Sequence, residues 1–409
     1  MDIPRKRLGM IDYYSPVYWK DPYTHCCIVG KSGEGKTALI KRLIRQDHLW
    51  RIANILIQPS DSVARECLGL CRGNAKYLSL ETPISINPLH QPYHPSTISD
   101  LVAEAMNQVI TVTTNGAIKE MTPKMRNILD GAIKYCLDHN RKSLLHVRDY
   151  IANLRGDGET RDGILSRLNF LLNDERMIPI LCGNDSVKWG ELIQNRETFL
   201  VDCFGMSKEK FVFTGTLVSS GIKNVMRHER REKPMPVSLY IDEAHLFVTP
   251  HLFDVLKEGR KHKISCIMAT QDFASIDDRL ARVMLNVGTL IAFRCGNREA
   301  QLLAKEMGTI KTEEVFNYKS GCFETMECDT VKVIQNLEKY HLAYMTPREK
   351  GIAKACRPLF ARKIEPKRPE PKSTLKGGWF PLEPYRPESP PGNPVERSRD
   401  KREQSSFCS

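Results

Sequence analysis

The 409-residue sequence predicts an α/β fold with a mainly parallel sheet, an all-helical insertion and a disordered C-terminal tail. Strand and helix patterns alternate over residues 24–90 and 196–345, which is typical of a parallel sheet covered by helices. Residues 91–195 show only the helical spacing of apolar residues. Residues 346–409 form a basic, proline-rich tail whose composition does not support a packed core. A short aromatic segment, residues 1–23, precedes the predicted core.

The first predicted strand and helix flank a glycine-rich loop. Residues 24–29 are a β-rich run, and residues 30–37 read GKSGEGKT, which matches the pattern G-x-x-x-x-G-K-[ST]. Apolar residues at helical spacing follow the loop. An order of strand, glycine loop and helix aims the N-terminus of the helix at an anion. The sequence therefore predicts that this chain binds a nucleotide.

Each position of the loop has a predicted duty toward ATP and Mg²⁺. The glycines let successive backbone N–H groups approach the phosphates, Lys36 brings a charge to the β and γ phosphates, and the Thr37 hydroxyl is a ligand for Mg²⁺. The predicted nucleotide-binding residues are Gly30, Lys31, Ser32, Gly33, Glu34, Gly35, Lys36 and Thr37.

The remaining elements follow in chain order. Further core strands are predicted at residues 53–58, 75–80, 198–202, 237–242, 264–270 and 288–293, with helices at 62–70, 211–228, 252–261, 276–286 and 298–307. In the helical insertion we expect helices at 99–112, 123–139, 144–154 and 163–172. Thr122 and Pro123 have the residue types of a helix cap and a first helical position. Residues 321–335 are predicted to form a closing hairpin.

A pair of acids ends the strand at 237–242. Mg²⁺ on the phosphates needs a carboxylate, or a water held by one, at the tip of a neighbouring parallel strand, and Asp242 suits that position. Hydrolysis also needs a group that orients and deprotonates the attacking water. Glu243, one residue further on, is the predicted general base.

Two further polar residues flank the strand at 264–270. Gln271 follows this strand, where its amide could contact the γ-phosphate or the attacking water, or simply cap the strand end. Arg260 lies at the end of the preceding predicted helix. It could reach the nucleotide of a neighbouring subunit, but spacing alone favours a cation that complements the helix dipole.

Composition limits the class of protein. With 61 basic and 49 acidic residues the net charge is +12, which favours nucleic acid or an anionic membrane face as partner, unless part of the excess solvates the tail. The thirteen cysteines contain no C-x-x-C pair. Cys27, Cys203, Cys266 and Cys295 fall in predicted core strands, so we expect a reducing cytoplasm and no metal cage. Neither a transmembrane run nor a secretory signal is predicted.

Taken together, the motifs resemble the HerA–FtsK superfamily of hexameric DNA motors, and within it the conjugative coupling proteins of type IV secretion (TraD/TraG-like). The resemblance lies in the phosphate loop and in residues 240–245, 258–271, 286–294 and 297–300, and it spans about residues 24–335. It implies a RecA-like core that assembles as a hexameric ring and translocates DNA through its pore on ATP hydrolysis. It also implies that Arg260 is a finger acting in trans and that Gln271 is a nucleotide sensor.

Two departures from that family leave alternatives open. The second strand ends in Gln58-Pro59 where the family commonly has Asp-Pro. We also expect that this chain lacks the N-terminal membrane anchor usual in coupling proteins, because the predicted core begins near residue 24. DNA is the expected partner, together with a relaxase or a membrane complex, and the expected location is the cytoplasm, including the inner face of the membrane. The alternatives are a secretion or pilus ATPase with protein cargo, a viral genome-packaging ATPase, and a nucleotide-binding scaffold without turnover.

Overall fold

Short, largely buried runs of apolar residues pair into one large sheet in the computed structural model. The structure describes residues 6–10, 16–19, 24–59, 63–113, 121–155, 158–228, 234–246, 250–273, 276, 278–317, 322–355 and 364–366. Its strands are β1 Lys6–Met10, β2 Pro16–Trp19, β3 Cys26–Val29, β4 Ala53–Gln58, β5 Lys76–Leu78, β6 Thr198–Asp202, β7 Val237–Ile241, β8 Ile264–Thr270, β9 Thr289–Ala292, β10 Ile310–Asn317, β11 Cys322–Cys328, β12 His341–Met345 and β13 Lys350–Ala355.

Within the described residues the sheet has eleven strands in the order β2-β1-β13-β12-β9-β3-β8-β7-β4-β6-β5. From β9 to β5 every neighbouring pair is parallel, whereas β12, β13, β1 and β2 add to the β9 edge in antiparallel pairs. Parallel strands all end at the same edge of a sheet. The fold class predicted from the sequence is therefore confirmed.

Helices cover both faces of this sheet. They are α1 Lys36–Leu49, α2 Val63–Leu70, α3 Pro95–Thr113, α4 Pro123–Asp138, α5 Leu144–Ala152, α6 Gly158–Leu172, α7 Ile178–Cys182, α8 Trp189–Gln194, α9 Lys208–His228, α10 Pro250–Glu258, α11 Asp278–Leu285, α12 Asn297–Met307 and α13 Thr330–Gln335. Among the described residues, no helix combines the length and apolar character needed to cross a bilayer.

Alternation along the strands divides the buried side chains into two cores. Cys26 and Ile28 of β3 pack with α1 and α2, whereas Cys27 and Val29 belong to a core shared with α3–α9. The helices between 91 and 195 are thus packed on one face of the sheet, within the compact unit Met1–Arg368. The second unit, Pro369–Ser409, lies outside the described residues.

The cysteines predicted for core strands are buried. Cys27 and Cys266 lie inside β3 and β8, and Cys203 and Cys295 follow β6 and β9 closely. Burial raises the pKa of Cys27 to about 12, and that of Cys295 to about 12. Such thiols stay protonated and pack as small apolar side chains.

Three strands begin and end at the residues that the sequence predicts, whereas one predicted element is wrong. The strands at 53–58, 198–202 and 264–270 appear with those bounds, and Thr122 caps α4 by accepting a hydrogen bond from Met125 N at 3.3 Å. Residues 321–335 are not a hairpin. Cys322–Cys328 instead pairs with Ile310–Asn317, and Thr330–Gln335 is a helix because the Asp329 carboxylate caps Val331 N at 3.0 Å.

The segments before and after the predicted core each add strands to the large sheet. β1 and β2 lie in the aromatic segment 1–23, for which no strand is predicted. β13, at residues 350–355, lies inside the predicted tail and pairs with β12. The chain after 355 lies outside the described residues, apart from 364–366.

A buried ion pair ties β1 to the core. Lys6 Nζ donates to Asp47 Oδ2 at 2.9 Å and to Ser238 Oγ at 2.9 Å, and Tyr240 OH donates to the same Asp47 oxygen at 2.6 Å. The Lys6 and Asp47 side chains are 1% and 0% exposed. This network joins β1, α1 and β7, the strand that leads into the acid pair.

We predict that Lys6→Met lowers the free energy of unfolding by about 3–5 kcal/mol, because the Asp47 carboxylate is left buried without a counter-charge. Denaturant titration followed by circular dichroism measures the change. The double variant Lys6→Met with Asp47→Asn carries no buried charge and should recover much of the loss. Equal losses in the single and double variants would contradict this account of the pair.

Candidate nucleotide site

The register of three parallel strands gathers the predicted site residues at one edge of the sheet. Val29 of β3 lies opposite Thr270 of β8, and Ile241 of β7 lies opposite Met268 of β8. The phosphate loop follows β3, Gln271 follows β8 and Asp242 follows β7. Three segments that are far apart in sequence therefore meet at the carboxyl edge of the sheet, where ligands bind in open α/β folds.

Backbone hydrogen bonds and close packing fix the phosphate loop. Gly30 N donates to Thr270 O at 3.3 Å, and Lys31 N donates to Arg294 O at 2.9 Å, so the loop is held from both sides. A Cβ at Gly30 would lie 2.6 Å from the Cβ of Phe293. Gly35 has a φ of 129°, which side chains other than glycine rarely permit. Residues 31–33 are exposed at the top of the loop.

Lys36, the first residue of α1, places a buried ammonium group under the loop. Its Nζ donates to Gly30 O at 2.6 Å and to Lys31 O at 3.1 Å. Burial lowers the pKa of Lys36, and the charges of Glu243, Asp242 and Glu34 oppose that shift. The ammonium therefore lies in the field of carboxylates from two parts of the chain. Thr37, half-buried, is next to it in the first turn of α1.

Asp242 is a buried carboxylate directly after β7. Its backbone N donates to Ile57 O at 3.2 Å, and its Oδ1 accepts from Glu243 N at 3.1 Å. Burial, followed by the charge of Glu243, raises the pKa of Asp242 to about 6, although Lys36 and Lys41 act in the opposite direction. A bound divalent cation would offset both the burial of the Asp242 carboxylate and its repulsion by Glu243. Carboxylate oxygens are ligands that Mg²⁺ prefers. The donor set at this edge fits Mg²⁺.

Glu243 is held in an uncommon backbone conformation. Its φ is 52°, in the left-handed region, which costs on the order of 1–3 kcal/mol for a residue other than glycine. Gln271 Nε2 donates to Glu243 Oε1 at 2.5 Å, and His245 Nδ1 lies 3.3 Å from Oε2. Oε2 is buried and makes no hydrogen bond with the part of the chain that the structure describes. The side chain is thus oriented, with one oxygen available as an acceptor.

An ion pair that the sequence analysis does not predict supports the loop. Arg294, directly beyond Phe293 at the end of β9, donates to Glu34 Oε1 from Nη2 at 2.6 Å and from Nε at 3.2 Å. Tyr340 N also donates to Glu34 O at 3.1 Å. Arg294 and His245 both fall in the sequence blocks that carry the family resemblance. Their positions in the sequence, just after β9 and just after the acid pair, are the features from which a role at the site could have been predicted.

Gln58, which replaces the family's Asp, has a structural contact in this chain. It ends β4, and its Oε1 accepts a hydrogen bond from Ala64 N in the first turn of α2 at 2.7 Å. The side chain is fully buried. At this position an uncharged amide therefore caps a helix.

Arg260 is not brought to the site of its own chain. It is exposed and lies in the 3₁₀ turn Gly259–His262, just ahead of β8. The seven residues of β8 separate it from Gln271 by roughly 23 Å at about 3.3 Å per residue. Arg260 and the phosphate loop therefore lie at opposite edges of the same sheet.

The side chain beneath Arg260 is a buried histidine. Cys266 N donates to His25 Nδ1 at 3.0 Å. Burial, together with the charge of Arg260, lowers the pKa of His25 to about 4. His25 is therefore neutral near pH 7.

The sheet order, the phosphate loop and the acid pair define a RecA-like P-loop NTPase fold. This fold is similar to the bacterial conjugative coupling protein TrwB in its unbound form, with a TM-score of 0.66, 12% identity, and coverage of 88% of this chain and 91% of that chain. The plasmid coupling protein TrwB in complex with ADP and Mg²⁺ matches with a TM-score of 0.67 and 14% identity, over 89% and 98% of the two chains.

A further similar structure is VirB4 of Thermoanaerobacter pseudethanolicus, with a TM-score of 0.64, 14% identity, and coverage of 87% of this chain and 97% of that chain. Neither a scan against protein-family models nor a search of curated proteins gave a match. At these identities the likenesses establish the fold. The expected structural resemblance to conjugative coupling proteins is confirmed.

We predict that Asp242→Asn stabilises the protein at pH 8 and has little effect at pH 4. Because the folded-state pKa of Asp242 is raised to about 6, stability is lost as pH rises from the usual carboxyl pKa toward 6. Removing the charge should restore about 2–3 kcal/mol at pH 8. Denaturant titrations without Mg²⁺ or nucleotide at the two pH values measure the effect.

The matched control is Glu306→Gln, which removes an exposed carboxylate from α12 and should change stability little at either pH. A loss of stability in Asp242→Asn at pH 8 would show that ionised Asp242 contributes favourably to the fold.

Proposed function

We propose that this protein is an ATP-hydrolysing, DNA-translocating motor that works as a hexameric ring. The observation that carries the proposal is the grouping of Lys36, Asp242, Glu243 and Gln271 at one sheet edge beside a phosphate loop. A bound Mg²⁺ ion, held by Thr37 and Asp242, would neutralise negative charge on the phosphates. The backbone N–H groups of residues 30–37 and the Lys36 ammonium bind and orient the phosphates.

In this proposal Glu243 is the general base. Its Oε1 is held by Gln271, while its buried Oε2 has no hydrogen bond among the described residues and can accept a proton from a water molecule. Gln271 serves as the nucleotide sensor. A nucleotide group that accepts a hydrogen bond from its amide would break the bond between Gln271 and Glu243 and so release the Glu243 side chain. A scaffold without turnover has no use for a strained, oriented carboxylate at this position, so the arrangement favours hydrolysis.

Arg260 acts in trans in this proposal. Its position at the far edge of the sheet rules out contact with the phosphate loop of the same chain in this conformation, but suits a ring in which that edge faces the next protomer. A guanidinium supplied by a neighbour stabilises charge on the transferring phosphoryl group. DNA as cargo is supported by the net charge of +12 and by the fold shared with proteins described as conjugative and plasmid coupling proteins.

We predict that duplex DNA at low salt stimulates the ATPase activity of the wild-type protein, and that Glu243→Gln lowers turnover by at least about 100-fold, the usual contribution of a general base. Nucleotide affinity should be nearly unchanged, because the phosphate contacts remain. Steady-state ATPase assays with and without DNA, and titration with a fluorescent ATP analogue, measure both quantities. Glu306→Gln is the matched control and should behave like wild type.

Normal turnover by Glu243→Gln would show that another group is the base. A wild-type ATPase that does not respond to DNA would argue against DNA as cargo and would leave protein cargo as the alternative.

We also predict that Arg260→Ala lowers the turnover of the assembled ring by about 10³-fold or more, the effect of removing an arginine finger, without changing nucleotide affinity. Mixing it with Lys36→Ala protein should restore part of the activity, because some interfaces then combine an intact Lys36 with an intact Arg260. Lys257→Ala, an exposed cation of α10, is the control. Failure of the mixture to recover activity, with mixed rings verified by mass, would contradict action in trans.

A further inference from the structure

A polar cavity of about 670 Å³ lies at the sheet edge opposite the phosphate loop. It is located where β5 and β6 begin, at Lys76 and Thr198, and where α1 and α8 end. The residues that line it are His48, Arg51, Gly73, Asn74, Ala75, Lys76, Asn195, Arg196, Glu197 and Thr198. None of these residues has a part in the proposed ATP site.

The charges around this cavity do not cancel. Among the described residues that line it, the cations are Arg51, Lys76 and Arg196, and the one carboxylate, Glu197, pairs with Lys76 at 2.6 Å. Across the described ranges, the exposed guanidinium groups of Arg51 and Arg196 form no ion pair and no hydrogen bond. Two unmatched positive charges therefore converge on one cavity.

Neutral donors accompany these arginines. Asn74 and Asn195 are exposed, and their side-chain amides make no hydrogen bond with residues that the structure describes. At the inner wall, His48 Nδ1 lies 2.9 Å from Thr198 Oγ1. Burial lowers the pKa of His48, so the imidazole is neutral near pH 7 and the positive charge is confined to the rim. Guanidinium groups beside amide donors are the chemistry that binds phosphate oxygens.

Both arginines occupy backbone positions that are costly for their residue type. Arg51 has a φ of 53° and Arg196 a φ of 58°, at the ends of α1 and α8. Glycine or asparagine is the usual residue at this left-handed position after a helix. Complementing the helix dipoles would need only a cation somewhere in the last turn. The dipole alone does not explain two arginines that face the same cavity.

We propose that this cavity binds phosphate groups of the DNA backbone and is a cargo contact separate from the ATP site. The inference rests on the proposed function, which supplies DNA as the cargo. An extended polyanion fits better than a small one because both guanidinium groups are exposed at the rim, where a strand can pass. Its position at the edge opposite Lys36 lets DNA and ATP bind to one protomer together.

The test compares DNA binding by full-length wild-type protein, Arg51→Gln/Arg196→Gln, and the control Arg155→Gln/Arg348→Gln, which removes two exposed arginines elsewhere. Fluorescence anisotropy with labelled duplex DNA is recorded over a range of salt concentrations. Loss of two phosphate contacts should weaken binding about tenfold near physiological salt and reduce the slope of log K against log salt by about 2. The control should keep the wild-type slope.

Arg51→Lys/Arg196→Lys keeps both charges and should retain most of the affinity, and ATPase activity without DNA should be equal in all variants. An unchanged slope in Arg51→Gln/Arg196→Gln, or an equal fall in the control, would overturn the inference. The inference would also be overturned if Lys36→Ala protein bound inorganic pyrophosphate, and if adding Arg51→Gln/Arg196→Gln abolished that binding while DNA binding persisted. Wild-type protein that binds no DNA would instead refute the proposed cargo.

Discussion

The parallel pairing of β3, β8 and β7 is the constraint on which the rest of the site depends. Because these three strands run side by side in one direction, the segments that follow them meet at one edge, although the phosphate loop is more than two hundred residues before Asp242 and Gln271 in the sequence. A slip of one residue in the β7–β8 pairing would turn Asp242 to the other face of the sheet. The two cores that cover the faces fix the register, since the apolar side chains of each of these strands are divided between them.

The electrostatics of this edge suit a cation and a polyanion that bind together. The buried ammonium of Lys36 lies among the carboxylates of Asp242, Glu243 and Glu34, and within the described residues only Glu34 has an arginine partner. The raised pKa of Asp242 shows that its charge is under-compensated. A bound Mg²⁺ ion would offset that deficit, and a triphosphate would supply the anion that the ammonium and the loop amides lack. The strain at Glu243 is concentrated where the chemistry is proposed to occur.

The parts of the fold that could be predicted are those in which local sequence and tertiary environment agree. β4, β6 and β8 are continuous buried runs with polar ends, and the phosphate loop is a contiguous motif. β1 was not predicted because Lys6, a charged residue inside a strand, makes sense only beside Asp47. Residues 330–335 show apolar spacing too short to distinguish a helix from a strand, and the Asp329 cap decides between them. The bond between Gln271 and Glu243 depends on strand order, which no local pattern specifies.

The central claim is that the carboxyl edge of the sheet holds ATP and Mg²⁺ and that a neighbouring protomer completes the site. The most direct measurement is an experimental structure of the assembled protein with a nonhydrolysable ATP analogue and Mg²⁺. Our account predicts that Lys36 Nζ leaves the Gly30 carbonyl for the phosphates, that Asp242 binds the metal directly or through water, and that Arg260 of the next protomer approaches the γ-phosphate. An analogue bound elsewhere, or a Lys36 that keeps its contact with Gly30 while the analogue is present, would contradict the account.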